Sequence, residues 1–176
     1  MRTRTFTILI ITFLFLTSTG CIELSQQTEG PTTTVEVIYV IDGDTIQVEW
    51  PNGTQSKVRI LGIDTPEVHT EVNTTEWEGI DNESWLRTCG HKASNFTKRW
   101  ITQTVNLTFD ENEGKKGYHG RYLAYVELEN ETDLGAELIK QGWARVYPYS
   151  DCVRKDQYLE YEDDAQAENK GVWEKM

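Results

Sequence analysis

Hydrophobic and polar positions alternate most clearly in three early stretches. Val35-Glu36-Val37-Ile38-Tyr39-Val40, Thr45-Ile46-Gln47-Val48-Glu49-Trp50 and the run from Ser56 to Ile63 are rich in β-branched and aromatic residues, with Asp42-Gly43 and Pro51-Asn52-Gly53 between them. A period of two puts alternate side chains on one face, and Gly-containing turns join such runs, so the pattern predicts an antiparallel three-stranded meander. Two further strands are predicted over Val105 to Phe109 and Arg121 to Leu128.

Helical spacing replaces alternation in three places. His91 to Thr102 repeats Ala93, Phe96, Trp100 and Ile101 at helical intervals; a second helix starts from a Thr132 or Asp133 cap and ends through Gln141 at Gly142; a third runs from about Lys155 to Lys170 and stops at Gly171. Val68 to Gly90 is polar and acidic, and is expected to be a loop beside the functional site. Five strands in a three-plus-two order, with one helix between the third and fourth, predict an α+β fold: a five-stranded OB-type Greek-key β-barrel with three helices. That architecture suits oligonucleotides or oligosaccharides and does not choose between them.

The N-terminus breaks the pattern. Arg2 and Arg4 precede an eleven-residue apolar run, Phe6 to Leu16, followed by Thr17-Ser18-Thr19-Gly20-Cys21. A membrane span needs about 20 apolar residues, so residues 1–20 are expected to be a signal peptide. Gly20-Cys21 resembles a lipoprotein box, which would make Cys21 a lipidated first residue and tether the protein to the cell membrane; plain secretion is the alternative. Residues 21–34 read as a polar tether and 35–176 as one domain.

Charge narrows the reading. Losing residues 1–20 takes the formal net charge from −12 to −14. Bulk attraction to a polyanion is excluded, so any nucleic-acid role needs local arginines and a divalent cation. With Cys21 lipidated, Cys89 and Cys152 are left as a candidate disulfide in an oxidising compartment. Cys89, His91 and Cys152 lack the paired spacing of a zinc site. Six of the eight asparagines, Asn52, Asn73, Asn82, Asn95, Asn106 and Asn130, stand in Asn-x-Ser/Thr sequons. Chance would give about one or two, so a surface glycoprotein is expected.

The chemistry gathers where strands run out. Asp42 and Asp44 are two residues apart, and Arg59-Ile60-Leu61-Gly62-Ile63-Asp64-Thr65-Pro66-Glu67 carries an arginine and two carboxylates at the end of an apolar strand. Three or four of these carboxylates are expected to converge on one cation. Arg121 stands at the mouth of another strand. Two guanidiniums, a carboxylate base and an oxygen cage are suited to attack on a phosphodiester.

Three segments together resemble the staphylococcal nuclease, or thermonuclease, family: Val-x-Asp-Gly-Asp-Thr at Val40 to Thr45, Arg-x-x-Gly-Ile-Asp-Thr-Pro-Glu at Arg59 to Glu67, and Gly-Arg-x-Leu-Ala-Tyr-Val at Gly120 to Val126. Fainter echoes run through Gly142-Trp143-Ala144-Arg145-Val146-Tyr147 to Trp173. The resemblance implies a Ca²⁺-dependent nuclease that cleaves the 5′ P–O bond of DNA and RNA and leaves 3′-phosphates. It implies Asp44, Asp64 and the Thr65 carbonyl as Ca²⁺ ligands, with Asp42 acting through a water, Glu67 as general base, and Arg59 and Arg121 as the phosphate clamp. Tyr147 and Tyr149 lie where the family places tyrosines near the nucleotide; plain packing is the other reading. Gly117-Tyr118-His119-Gly120-Arg121 lacks the aspartate that usually precedes the second arginine. The expected substrate is single-stranded or unstructured DNA and RNA, and the expected state is a monomer without a protein partner. A catalytically silent nucleic-acid-binding barrel is the alternative.

Overall fold

The computed structural model describes residues 29–100 and 104–174. The signal-peptide segment 1–20, Cys21, most of the tether and the end of the first predicted helix at Ile101 and Thr102 lie outside the described residues. In chain order the elements are β1 (Glu29–Val40), β2 (Thr45–Glu49), β3 (Gln55–Ile60), β4 (Ile63–Asp64), a 3-10 turn (Thr74–Glu76), α1 (Glu83–Trp100), β5 (Thr104–Asp110), β6 (Tyr122–Glu127), α2 (Leu134–Lys140), β7 (Arg145–Val146), α3 (Lys155–Ala167) and a second 3-10 turn (Gly171–Trp173).

The barrel closes in the order β1-β2-β3-β6-β5, as the alternating pattern predicts for an OB-type fold. β1, β2 and β3 form the antiparallel meander; β3 then pairs in parallel with β6, and β5 closes antiparallel onto both β6 and β1. Ile46, Val48, Val58, Ile60, Leu107 and Val126 fill the interior with no exposed surface. Each such side chain contributes about 1.5–3 kcal/mol by leaving water.

Two boundaries differ from the sequence pattern. β1 begins at Glu29, so residues 29–34 of the expected tether pair with β5, with Thr34 opposite Asn106 and Thr32 opposite Thr108. Polar threonines on a barrel edge give no apolar alternation, but their hydroxyls reach across: Thr34 donates to Asn106 at 2.7 Å. Arg154 ties down the same end, bonding Glu29, Glu127 and Asp133 while its guanidinium carbon stands 4.0 Å from the Tyr125 ring centre. Burial opposes its charge, and the Glu29 and Glu127 carboxylates outweigh that, so its pKa rises further.

The second difference concerns residues 68–90. These do not form one open loop: α1 starts at Glu83, where the Asn82 side chain accepts the Trp85 N–H at 3.0 Å as a cap. Val72, Trp77, Leu86, Cys89 and Val172 form a satellite apolar cluster that pins the preceding segment against α1 and the C-terminal turn.

The expected Cys89–Cys152 disulfide is not formed. Both are buried free thiols in different places: Cys89 belongs to the satellite cluster, whereas Cys152 packs in the barrel core against Gly62 and Tyr158.

Candidate active site

The turn Asp42-Gly43-Asp44 joins β1 to β2 beneath α1. A side chain on Gly43 would meet Thr65 and Ala93 at 2.8 Å, and the Gly43 carbonyl accepts the Thr97 hydroxyl at 2.7 Å. Glycine therefore lets this turn sit directly on Thr65. Asp44 is buried there, with Oδ2 accepting the Thr65 N–H at 3.0 Å and the Thr65 hydroxyl at 3.3 Å, and Oδ1 accepting Thr45 Oγ1 at 2.8 Å.

Arg59, at the end of β3, joins two of the expected carboxylates. Its Nη1 lies 3.1 Å from Asp44 Oδ1 and its Nη2 lies 2.5 Å from Asp64 Oδ1. Burial disfavours its charge, but Asp44 and then Asp64 more than offset this and raise its pKa. Asp42 lies beside Asp44, with its Oδ1 accepting the Asp44 N–H at 3.2 Å. Burial, and next the Asp44 charge, push Asp42 up to about 7. Two aspartates meet across one guanidinium, and the expected convergence of three or four is not seen: among the described residues no group of three or more His, Cys, Asp or Glu side chains has metal-holding geometry. One Asp42 oxygen is engaged by the Asp44 N–H in closing the turn, and Glu67 stands exposed in the cleft away from that turn's hydrogen bonds.

A cleft of about 870 Å³ opens beside this pair, lined by Arg59, Asp64, Glu67, Arg121, Tyr147 and Tyr149 among others. Glu67 is exposed in it and makes no hydrogen bond among the described residues. Arg121 donates to Thr45 Oγ1 at a long 3.3 Å and forms no ion pair among the described residues, so its charge is open to an incoming anion. Tyr147 and Tyr149 are 37% and 85% exposed with ring centres 5.6 Å apart, which decides against plain core packing. Tyr118, fully exposed on the same cleft, was not singled out by the sequence pattern, nor was Arg145.

Arg145 is held by the small antiparallel sheet β4–β7, where it stands directly opposite Asp64. Facing side chains across an antiparallel pair are neighbours, and Arg145 Nε and Nη2 donate to Asp64 Oδ2 at 3.0 and 2.8 Å. Asp44 and Asp64 bring carboxylate oxygens to the two sides of Arg59, and oxygen donors of this kind suit a hard ion such as Ca²⁺.

A family model described as "Staphylococcal nuclease homologue" matches residues 57–175. The chain is 34% identical over 168 residues to a thermonuclease of Staphylococcus hyicus, covering 94% of this chain and 90% of that protein. It is 39% identical over 147 residues to an uncharacterised protein of Methanocaldococcus jannaschii, covering 78% and 70%. It is also 30% identical over 138 residues to an endonuclease of Bacillus subtilis, covering 76% of this chain but 11% of that longer protein. With the family model spanning most of the domain and the barrel closed in the OB order, this chain belongs to the staphylococcal nuclease family.

Proposed function

We propose that the protein is a Ca²⁺-dependent nuclease that hydrolyses single-stranded or unstructured DNA and RNA, breaking the 5′ P–O bond and leaving 3′-phosphates. The observation that carries this reading is the cleft itself, where Arg59, Arg121 and Glu67 line one wall space beside Asp64. Glu67 takes a proton from the attacking water. Arg121 and Arg59 bind non-bridging phosphate oxygens and stabilise the negative charge that builds on them as water adds to phosphorus and the P–O5′ bond breaks, the 5′ oxygen leaving as a hydroxyl with a proton from solvent. Tyr147 and Tyr149 offer ring faces to unpaired bases, a contact worth about 1–3 kcal/mol per base in single-strand binders. Asp44, Asp64 and the Thr65 carbonyl would hold Ca²⁺, with Asp42 acting through a water. Bound Ca²⁺ supplies positive charge to the phosphate and screens it from the acidic surface.

The apolar run Phe6 to Leu16 with Gly20-Cys21 supports export and attachment at Cys21, and so an activity outside the cell, where exposed sequon asparagines such as Asn52 would carry glycans. The purified chain should cleave single-stranded DNA with Ca²⁺ and stop with chelator. Binding without cleavage at every Ca²⁺ concentration would instead favour a silent binding barrel.

A further inference from the structure

Arg145 does more than neutralise Asp64. One edge of its guanidinium occupies Asp64 Oδ2, while Arg59 takes Oδ1. The other edge holds the segment that leaves the site through Glu67: Nη1 donates to the Glu76 carbonyl oxygen, Nη2 lies 3.3 Å from Glu76 Oε2, and the guanidinium carbon stands 5.2 Å from the Trp77 ring centre. Trp77 is anchored in the satellite cluster, so this end of the bridge is fixed to the fold. The arginine side chain is only 13% exposed, which sets it apart from a solvated surface ion pair.

We propose that Arg145 is a positioning residue for the hydrolysis: it holds Asp64 Oδ2, so that a cation at this carboxylate binds beside a second positive charge, and it latches the Glu67-to-Asn82 segment to Asp64. The inference rests on the nuclease reading above. Its two duties have opposite signs. As a cation on a metal-binding carboxylate, Arg145 weakens Ca²⁺ binding; as a latch, it aligns Asp64 with the segment carrying Glu67 and so speeds turnover. An arginine with a merely structural role would, when removed, depress both together.

The test measures Ca²⁺ binding calorimetrically on the purified chain without nucleic acid, and separately kcat on single-stranded DNA at saturating Ca²⁺. Arg145→Ala should bind Ca²⁺ about three- to tenfold more tightly, because a neighbouring positive charge is gone. Its kcat should fall about 10- to 100-fold, the usual effect of losing a group that orients a metal-binding side chain. Arg145→Lys keeps the charge and loses the fork, so its Ca²⁺ affinity should stay within about twofold of the unmodified chain while kcat still falls. The lysine variant carries the test if the alanine variant does not fold. Weaker Ca²⁺ binding in Arg145→Ala, or unchanged kcat in either variant, overturns the proposal. An unmodified chain that fails to cleave would remove the nuclease reading, whereas the calorimetry would still report whether Arg145 competes at Asp64.

Discussion

Asp44 and Asp64 share Arg59, yet their surroundings differ, and that sets what each substitution does. Asp44 is buried with both oxygens engaged by Thr45, Thr65 and Arg59, so Asp44→Asn removes an acceptor from a closed set. It should raise the Ca²⁺ concentration needed for half-maximal cleavage about 10- to 100-fold, with activity partly recovered as Ca²⁺ is added; an unchanged Ca²⁺ requirement would remove Asp44 from the ligand set. Cys89 gives a second prediction at this scale. Burial pushes its thiol from 9.0 up to about 11, so between those values the folded chain binds more protons than the unfolded one and stability falls as pH rises. Alkylation at pH 8 should leave Cys89 and Cys152 unmodified until denaturant is added, and reductant should not move the melting temperature. Rapid labelling of the native protein, or a reductant-sensitive melt, would contradict the free buried thiols. Most of the site was readable because Asp44, Arg59, Asp64, Glu67 and Arg121 sit in short motifs. Arg145 was not, since its partner is 81 positions away and only the β4–β7 pairing puts them face to face.

The elements were legible where burial is one-sided. The barrel strands alternate because one face meets the core, and α2 and α3 carry clear stop signals at Gly142 and near Gly171. The start of α1 was hidden, because Glu83, Ser84, Arg87 and Thr88 are polar and its inward face, Leu86, Cys89 and Ala93, packs partly against a satellite cluster rather than the barrel. Asn82 was read as a sequon when its local structural role is a cap. Asn82→Ala should cost about 1 kcal/mol in urea unfolding, and an unchanged midpoint would show that the cap does not matter. The first residues of β1 were equally hidden, since Thr32 and Thr34 reach β5 through their hydroxyls and Arg154 holds Glu29, none of which is apolar burial.

At the scale of the molecule, a chain of formal charge −12 opens a cleft whose arginines come from separate elements. The barrel brings Arg59 from the end of β3 and Arg121 from just before β6 to the same place, because those two strands are parallel neighbours with Arg59 paired to Leu123. Arg59 is committed to two carboxylates, which leaves Arg121 as the guanidinium best able to follow charge as it develops. The most direct test is therefore kcat and KM for Arg121→Ala on single-stranded DNA at saturating Ca²⁺, with Glu67→Gln beside it. In Arg121→Ala kcat should fall about 10²–10³-fold while KM changes little, as for loss of a donor that acts mainly in the transition state, and Glu67→Gln should also be slow. Cleavage by both variants at the unmodified rate would contradict these roles for Arg121 and Glu67.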